Sequence, residues 1–364
     1  MRIGIVGAGQ LGRMMALAGY PLGCRFFMYD RSHDTPGGQV APIVTGEFDD
    51  ARRLVQFAKR CEVVTFDWEN VPVASAELIA QHVPVWPPPR ALAIAQDRVP
   101  EKTLFRKLRI PTPDFAAVDS LASLKRAVRR LGLPGVLKTR RLGYDGKGQA
   151  VLRRLEEIAP AFEQLGSQPL VYEAFVRFSR EVSLVAVRGH DGEIAFYPLA
   201  ENVHEAGVLS VSRAPYVNAK LQAEAERHMR RVLEHFDYVG VLTIEFFVEK
   251  GRLVANEMAP RVHNSGHWTI EGAETSQFEN HVRALAGLPL GSTRPRGHSV
   301  MVNLLGEMPP VDGVLAIPGV HLHDYGKEAR PGRKLGHLTF VSPSKAERDG
   351  VARALLAIAG RDPG

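Results

Sequence analysis

The sequence predicts an α/β protein in which a parallel unit comes first and antiparallel strands follow. Short apolar strands alternate with helical segments through roughly the first ninety residues, a pattern typical of parallel α/β units. The clearest hairpin pattern of the chain lies near residue 250. Because 364 residues exceed the size at which a single core keeps growing, we expect two or three domains.

The first predicted domain spans residues 1–97. Its strands are expected at 3–6, 25–29 and 63–66, with helices from about residue 11 and at 51–59. The run Pro87-Pro88-Pro89 can continue neither a helix nor a central strand, so we expect it to close this parallel unit.

The rest of the chain is predicted to form two further domains, at residues 98–290 and 291–364. In the first we expect a helix at 120–131 and a strand at 135–139, followed by a glycine-rich segment. In the second, short strand-like segments precede an apolar helix at about 344–359.

Composition favours a cytoplasmic protein that handles small anions. The hydrophobic fraction is 45% and the charged fraction 24%, no apolar run approaches the ~20 residues of a membrane span, and the first strand leaves no room for a signal peptide. Cys24 and Cys61 alone predict no disulfide framework. The net charge of +6 comes from scattered basic residues, so we expect neither a nucleic-acid partner nor a membrane partner.

A glycine turn follows the first strand, in the segment Gly7-Ala8-Gly9-Gln10-Leu11-Gly12. With Asp30 after the next strand, it matches the dinucleotide-binding fingerprint and by itself favours an NAD-dependent oxidoreductase. Other phosphorylated ligands use the same turn, and the glycines could also serve only a tight strand-to-helix connection.

A second set of residues is suited to binding a nucleoside triphosphate. Lys138 ends an apolar strand, and Gly143, Gly146 and Gly148 form a loop whose amides can close over phosphates. The segment 170–176 is a suitable hinge for an adenine edge. Glu181 could accept from ribose hydroxyls or could be an ordinary surface carboxylate.

The hairpin carries the most specific signal. Even-numbered residues from 242 to 248 are apolar, so Glu245 faces the other side of its strand. A three-residue turn centred on Gly251 places Glu257 opposite Glu245. Two opposed carboxylates repel each other unless a cation neutralises them, and oxygen ligands beside a phosphate cleft predict Mg²⁺.

Together, these motifs resemble the ATP-grasp superfamily and, within it, the N5-carboxyaminoimidazole ribonucleotide synthase family. The resemblance spans nearly the whole chain. It implies an ATP-grasp fold with an N-terminal Rossmann-like parallel α/β domain, central ATP-grasp lobes and a small C-terminal β-rich domain. The motifs that carry it are Gly7 to Gly12, Asp67-Trp68-Glu69-Asn70-Val71, Tyr144-Asp145-Gly146-Lys147-Gly148-Gln149, Glu201-Asn202-Val203-His204, the run from Asn256 to His267, and the run from Arg330 to His337.

The resemblance also implies a reaction and its site. 5-Aminoimidazole ribonucleotide, ATP and bicarbonate give the N-carboxylated ribonucleotide, ADP and phosphate through carboxyphosphate, a step of purine biosynthesis, and the expected assembly is a two-fold homodimer. Glu245 and Glu257 resemble the family's magnesium ligands. The residues implied around ATP are Arg98, Lys138, Gly143, Tyr144, Asp145, Gly146, Lys147, Gly148, Gln149, Glu173, Ala174, Phe175, Val176, Glu181, His204, Asn256 and Glu257.

The chemistry of this reaction gives roles to further residues. Carboxyphosphate decomposes in water, so a polar cradle is expected from Arg261, His263 and Asn264. The glycine turn is then expected to hold the nucleotide substrate, and Trp68 to face the core, although it could narrow the pocket. The residues expected at the ribonucleotide are Gln10, Leu11, Glu69, Tyr144, Lys147, Lys327, Arg330, Arg333 and Lys334.

Three alternatives remain open at this point. Another ATP-grasp enzyme, such as a formate-using glycinamide ribonucleotide transformylase or a biotin carboxylase, would share the fold. An NAD-dependent oxidoreductase would explain the glycine turn and Asp30 but not the pair Glu245 and Glu257. A non-catalytic nucleotide-binding regulator would have little use for the lysine, the carboxylates and the loop together.

Overall fold

The structure is a computed structural model that describes residues 1–143 and 148–361. Its helices are α1 (Gln10–Gly19), α2 (Ala51–Ala58), α3 (Val73–Ala80), α4 (Pro89–Ala95), α5 (Arg98–Lys107), α6 (Leu121–Leu131), α7 (Ile158–Leu165), α8 (Ala219–Phe236), α9 (Thr269–Gly272), α10 (Gln277–Leu285), α11 (Val311–Leu315) and α12 (Lys345–Ile358). Its strands are β1 (Arg2–Val6), β2 (Arg25–Asp30), β3 (Ile43–Thr45), β4 (Val63–Phe66), β5 (Phe115–Val118), β6 (Gly135–Thr139), β7 (Gln149–Leu152), β8 (Leu170–Ala174), β9 (Arg180–Arg188), β10 (Ile194–Phe196), β11 (Ala200–Glu205), β12 (Val208–Ala214), β13 (Gly240–Glu249), β14 (Arg252–Ala259), β15 (His298–Leu305), β16 (Val320–Asp324) and β17 (Lys334–Ser342).

The N-terminal region is the expected parallel unit. Its strands lie in the order β3-β2-β1-β4 and pair in parallel. Every residue of β4 is buried, as expected for a strand covered on both faces. The proline run does not simply close this unit, because Pro89 begins α4, where its missing N–H costs nothing.

A small antiparallel sheet in the order β5-β8-β6-β7 forms the next layer. Helices α6 and α7 pack on it around a core that includes Leu124, Leu137 and Leu170. Ser120 begins α6 as predicted, since its hydroxyl accepts from the backbone N–H of Ser123 in a capping box.

The large antiparallel sheet runs β14-β13-β9-β11-β12-β15-β17-β16, with β10 paired to β9. The C-terminal strands therefore extend the central sheet, because β15 pairs directly with β12. Helix α8 packs on the β9, β13 and β14 side, and α12 packs on β15 and β17. The last segment of the chain thus belongs to the same sheet as the strands that carry Glu245 and Glu257.

A buried histidine joins the parallel sheet to the large sheet. His281 accepts from the backbone N–H of Val241 at 3.0 Å through Nδ1, so its Nε2–H can donate to Thr65 Oγ1 at 2.9 Å. Thr65 lies in β4 and Val241 in β13. The bridge holds the carboxyl end of the parallel sheet against the strand that carries Glu245.

The hairpin β13–β14 pairs Glu245 with Glu257, which confirms the predicted pair. The predicted turn was wrong, because only Lys250 and Gly251 separate the strands, both with positive φ, as a tight hairpin requires. A bulge next to Glu245 inserts Asn256 and restores the predicted register.

These observations confirm the mixed α/β fold class, with parallel strands first and antiparallel strands after them. Cys24 and Cys61 are both buried and unpaired. None of the described helices has the length and apolar character needed to cross a bilayer.

Candidate active site

A cleft of about 980 Å³ opens at the carboxyl ends of the parallel strands and faces the large sheet. It gathers side chains from all three predicted domains, including many of the residues singled out from the sequence. The predicted residues that line it are Gln10, Leu11, Glu69, Arg98, Gly143, Glu257, Arg261, His263, Asn264, Lys327, Arg330, Arg333 and Lys334.

The two opposed carboxylates are partly buried and differ in their partners. Burial raises the pKa of Glu245 to about 7, and the charge of Glu257 adds to the rise. Burial also disfavours the charged form of Glu257, but Arg98, whose Nη1 lies 2.8 Å from Glu257 Oε2, lowers its pKa below the usual value. The buried Asn256 Oδ1 has no hydrogen-bond partner among the described residues. A hard cation such as Mg²⁺ fits this set of oxygens, since it usually takes one or two carboxylates and completes its shell with phosphates and water.

A buried network of charges lies behind this pair. Lys138 Nζ donates to Glu173 Oε2 at 3.0 Å, and Lys102 Nζ lies 3.2 Å from Glu173 Oε1. Burial opposes ionisation of Glu173, yet the two lysines lower its pKa to about 2. Glu173 is therefore ionised and fixes Lys138, the lysine predicted to contact ATP. The sequence did not mark Lys102, because a lysine in a predicted helix is expected on the solvent-exposed face. In the structure Lys102 is fully buried.

Glu181 and His204 form a second predicted pair. His204 Nδ1 lies 2.9 Å from Glu181 Oε2, on neighbouring strands β11 and β9. Burial lowers the pKa of His204, but the bond to Glu181 and the charge of Glu245 outweigh it and raise the pKa to about 9. The pair thus places a charged histidine beside a carboxylate, close to Glu245.

Two acidic residues in or beside the cleft were not predicted, Glu101 in its lining and Asp97 behind Arg140. Burial and the nearby Glu257 raise the pKa of Glu101 to about 8, and its Oε1 accepts from the backbone N–H of Met258 at 2.7 Å. Asp97 holds Arg140 by two bonds, of 2.9 and 2.7 Å. Arg140 and Glu101 both line the cleft. Nothing in their local sequence marks them, because their partners lie on distant segments.

The predicted cradle for bicarbonate contains an ion pair between Arg261 and Glu69. Burial opposes ionisation of Glu69, but Arg261 lowers its pKa to about 2, so both groups are charged. Burial and the charge of Arg261 lower the pKa of His263 to about 3, so its imidazole is neutral. The cleft thus offers a fixed guanidinium and a neutral imidazole side by side.

Side chains from outside the motif hold this cradle in place. The amide of Gln277 accepts from the backbone N–H of His263 at 2.9 Å and donates to its carbonyl oxygen at 2.7 Å. The amides of Asn264 and Asn303 donate to each other at 3.0 and 2.7 Å. Asn264, predicted to contact bicarbonate, therefore uses both its amide groups to anchor the loop to β15.

The basic residues near the C-terminus face the first domain across the cleft. Lys327 Nζ donates to Gln10 Oε1 at 2.5 Å, which joins two residues predicted for the same substrate. Arg330 pairs with Glu328 at 2.6 Å, and Arg333 Nη1 donates to the Glu328 carbonyl oxygen at 3.0 Å. Burial, together with the charges of Arg333 and Lys334, lowers the pKa of Lys327 to about 8.

In the glycine turn, carboxylates of the chain occupy three of the backbone amide groups. The N–H groups of Gly9 and Gly12 donate to Asp67, and that of Ala8 donates to Asp30. These amides are not available to a substrate phosphate. Trp68 is 38% exposed and lines the cleft, while its ring packs against Phe48 of the core.

The described residues of the predicted glycine loop and hinge, other than Gly143, lie outside the lining of the cleft. Gln149 begins β7 and lies opposite Lys138 of β6. The carbonyl oxygen of Gly148 accepts from the backbone N–H of Thr139 at 2.8 Å. Ala174 ends β8, and Phe175 is 38% exposed just after it, with Val176 following. Tyr144, Asp145, Gly146 and Lys147 lie outside the described residues.

Three family models match successive parts of the chain. The ribonucleotide synthetase preATP-grasp domain matches residues 1–96, the ATP-grasp domain residues 103–278, and the phosphoribosylaminoimidazole carboxylase C-terminal domain residues 299–349. An N5-carboxyaminoimidazole ribonucleotide synthase of Pseudomonas aeruginosa is 53% identical over 346 residues, which cover 95% of this chain and 96% of that protein. The chain belongs to the N5-carboxyaminoimidazole ribonucleotide synthase family. It is therefore an ATP-grasp ligase.

Further members of the N5-carboxyaminoimidazole ribonucleotide synthase family agree with this assignment. A synthase of Brucella melitensis is 46% identical over 94% of this chain and 96% of its own length. The crystal structure of the Thermus thermophilus synthetase superposes with a TM-score of 0.95 at 52% identity, covering 100% of this chain and 99% of that one. The Aspergillus clavatus synthase, solved with ADP and 5-aminoimidazole ribonucleotide, gives a TM-score of 0.93 at 31% identity, with 99% and 98% covered.

Proposed function

We propose that the cleft carboxylates 5-aminoimidazole ribonucleotide with bicarbonate and ATP, giving N5-carboxyaminoimidazole ribonucleotide, ADP and phosphate. Transfer of the γ-phosphoryl group of ATP to a bicarbonate oxygen forms carboxyphosphate. The exocyclic amine of the ribonucleotide then takes up the carboxyl carbon, the C–O bond to phosphate breaks, and the amine loses a proton.

The observation that carries this proposal is the meeting of three groups in one cleft. The carboxylate hairpin with Glu257, the Arg261–Glu69 pair, and the Lys327–Gln10 contact all line it. These three groups are suited, in that order, to a phosphoryl donor, a small anion and a phosphorylated acceptor. An oxidoreductase needs none of these groups, which disfavours that alternative.

We assign ATP to the side of the cleft formed by the two antiparallel sheets. Lys138, held by the ionised Glu173, supplies a positive charge for phosphate, while β8 leads into the hinge that follows Ala174. The charged His204, paired with Glu181, suits the ribose or phosphate oxygens. Glu245 and Glu257 would hold Mg²⁺, which when bound neutralises phosphate charge and orients the γ-phosphoryl group.

We assign bicarbonate and the carboxyphosphate to the Arg261–His263 segment. The Arg261 guanidinium is held by Glu69 and by its own Nη1 bond to the Val262 carbonyl oxygen at 2.9 Å. A positioned charge of this kind stabilises an anionic intermediate without reorganisation during the reaction. The neutral His263 can hydrogen-bond the incoming amine without adding repulsive charge to it.

The phosphorylated acceptor is assigned to the opposite wall. Lys327 and its neighbours Arg330, Arg333 and Lys334 present positive charge to a ribose phosphate. Gln10, which accepts from Lys327, would set the orientation of that lysine. The boundaries 1–97, 98–290 and 291–364 remain our proposal for the domains, and a cytoplasmic homodimer remains our proposal for the assembly, to be checked by cell fractionation and sedimentation.

The test is ADP release by the purified protein with Mg²⁺, ATP, bicarbonate and the ribonucleotide, omitting each component in turn. We expect release only when all four are present. Formate in place of bicarbonate, with glycinamide ribonucleotide as the acceptor, tests the nearest alternative. Activity with that pair, and none with the aminoimidazole, would overturn the proposal.

A further inference from the structure

The glycine turn after β1 is filled by a carboxylate from the neighbouring strand. Asp67 Oδ2 accepts from the N–H of Gly9 at 2.6 Å, and Asp67 Oδ1 accepts from the N–H of Gly12 at 2.8 Å. One carboxylate thus bridges the start of α1, where a dinucleotide-binding turn would hold a phosphate.

The glycines of the turn fit this internal ligand closely. A Cβ on Gly9 would lie 2.5 Å from Asp67 Oδ2, and a Cβ on Gly7 would lie 3.0 Å from Asp67 Cβ. Gly7 also has a φ of 94°, which disfavours any side chain. The fingerprint is therefore explained by the approach of Asp67, with no need for a bound phosphate.

Asp67 also stands at the start of the segment that forms one wall of the cleft. It follows β4 directly, its own N–H donates to the Val6 carbonyl oxygen at 2.9 Å, and Glu69 lies two residues further on. Glu69 pairs with Arg261. The start of α1 is therefore bonded to Asp67, and Glu69, two residues further along the chain, holds the Arg261 guanidinium.

We propose that Asp67 is an internal anionic ligand of the glycine turn, which takes the place of a phosphate at the Gly9 and Gly12 amides and positions Glu69 for the ribonucleotide and Arg261 for the reacting anion. The positioning part rests on the function proposed above, whereas the internal-ligand part does not. Asp67 is a positioning residue, because it acts on the substrates through Glu69 and Arg261 and through its charge on Lys327.

The first test compares Asp67→Asn with a matched carboxylate of the same domain. Asp50 also accepts from a backbone N–H at a helix start, that of Arg53 at 3.0 Å, but it lies outside the cleft. In Asp67→Asn, one amide N–H faces an NH₂ group, so we expect the KM for the ribonucleotide to rise at least about tenfold, with the KM for ATP within about twofold. Asp50→Asn should change neither KM, because an Asn oxygen can accept the same single bond at the helix start.

The second test supplies the missing carboxylate from solution. Acetate matches the side chain that Asp67→Gly removes, so it should raise the melting temperature of that variant by at least about 2 °C and lower its ribonucleotide KM at least about threefold. Neutral acetamide should do neither, and the wild type should not respond to acetate.

The outcomes separate the two proposals. An unchanged ribonucleotide KM in Asp67→Asn, or an equal rise in Asp50→Asn, would overturn the positioning role. Acetate acting no better than acetamide on the melting temperature of Asp67→Gly would overturn the internal ligand. If the wild type fails to turn over the ribonucleotide, the proposed function and the positioning role fail together, and the melting-temperature comparison still decides the internal ligand.

Discussion

The glycine turn and the β13–β14 hairpin are two polar regions of one cleft. They differ in whether side chains of the protein itself already pair with their polar groups. At the turn, Asp67 and Asp30 accept from the amides of Ala8, Gly9 and Gly12, so these three donors are already paired within the chain. At the hairpin, burial raises the pKa of Glu245 to about 7, the charge of Glu257 adds to the rise, and the buried Asn256 Oδ1 has no hydrogen-bond partner among the described residues, so these oxygens fit a cation. A motif of charged or polar groups therefore marks a ligand site only where other groups of the protein do not already pair with them.

The largest expected effect comes from the hairpin. Glu257→Gln removes one of the two opposed carboxylates, and we expect ribonucleotide-dependent ADP release to fall by about 100- to 1000-fold, as when a charge-stabilising group is lost. The rate should be measured across a Mg²⁺ titration, with Glu249→Gln at the far end of the same hairpin as the control. Full activity in Glu257→Gln would show that the hairpin carboxylates take no part in the reaction.

The next effect concerns the stability of the charge network behind the hairpin. Lys102→Met leaves Glu173 with Lys138 as its single lysine partner in a buried site, so we expect a loss of about 3–5 kcal/mol in the free energy of unfolding, together with a raised KM for ATP. Lys107→Met, on the same helix but exposed, should change stability by less than about 0.5 kcal/mol. Denaturant unfolding would contradict the account if both variants behaved alike.

The smallest effect is a pH dependence on the other wall of the cleft. Burial, with Arg333 and Lys334, lowers the pKa of Lys327 to about 8, so Lys327 is charged below that pH and neutral above it. We therefore expect the KM for the ribonucleotide to rise several-fold from about pH 7 to about pH 9. Lys327→Arg stays charged throughout, so the rise should be absent in that variant. If the KM rises equally in the wild type and in Lys327→Arg, a group other than Lys327 causes the pH dependence.

Local patterns in the sequence were sufficient for much of the fold. The strands β4 and β6 begin and end as expected, because β-branched and apolar runs are bounded by turn residues. The pair Glu245 and Glu257 was also found from alternation along the two strands. The error in turn length was cancelled by the bulge at Asn256, which no sequence signal marked.

Contacts between distant segments could not be predicted in this way. Asp67 lies 58 residues from Gly9, and Asn303 lies 39 residues from Asn264. Nothing in the sequence around Asp67 or Asn303 shows which distant backbone or side-chain groups they meet. The same limit applies to Lys102 and Gln277, whose roles depend on burial by segments far along the chain.

The central claim is that bicarbonate, ATP and the ribonucleotide react in one cleft through carboxyphosphate. Bicarbonate labelled with ¹⁸O tests it directly, because the oxygen that attacks the γ-phosphorus must leave with phosphate. Mass analysis of the inorganic phosphate released in the presence of the ribonucleotide should show a labelled oxygen. Phosphate free of label, released at the same rate, would mean that bicarbonate is never phosphorylated and would contradict the account.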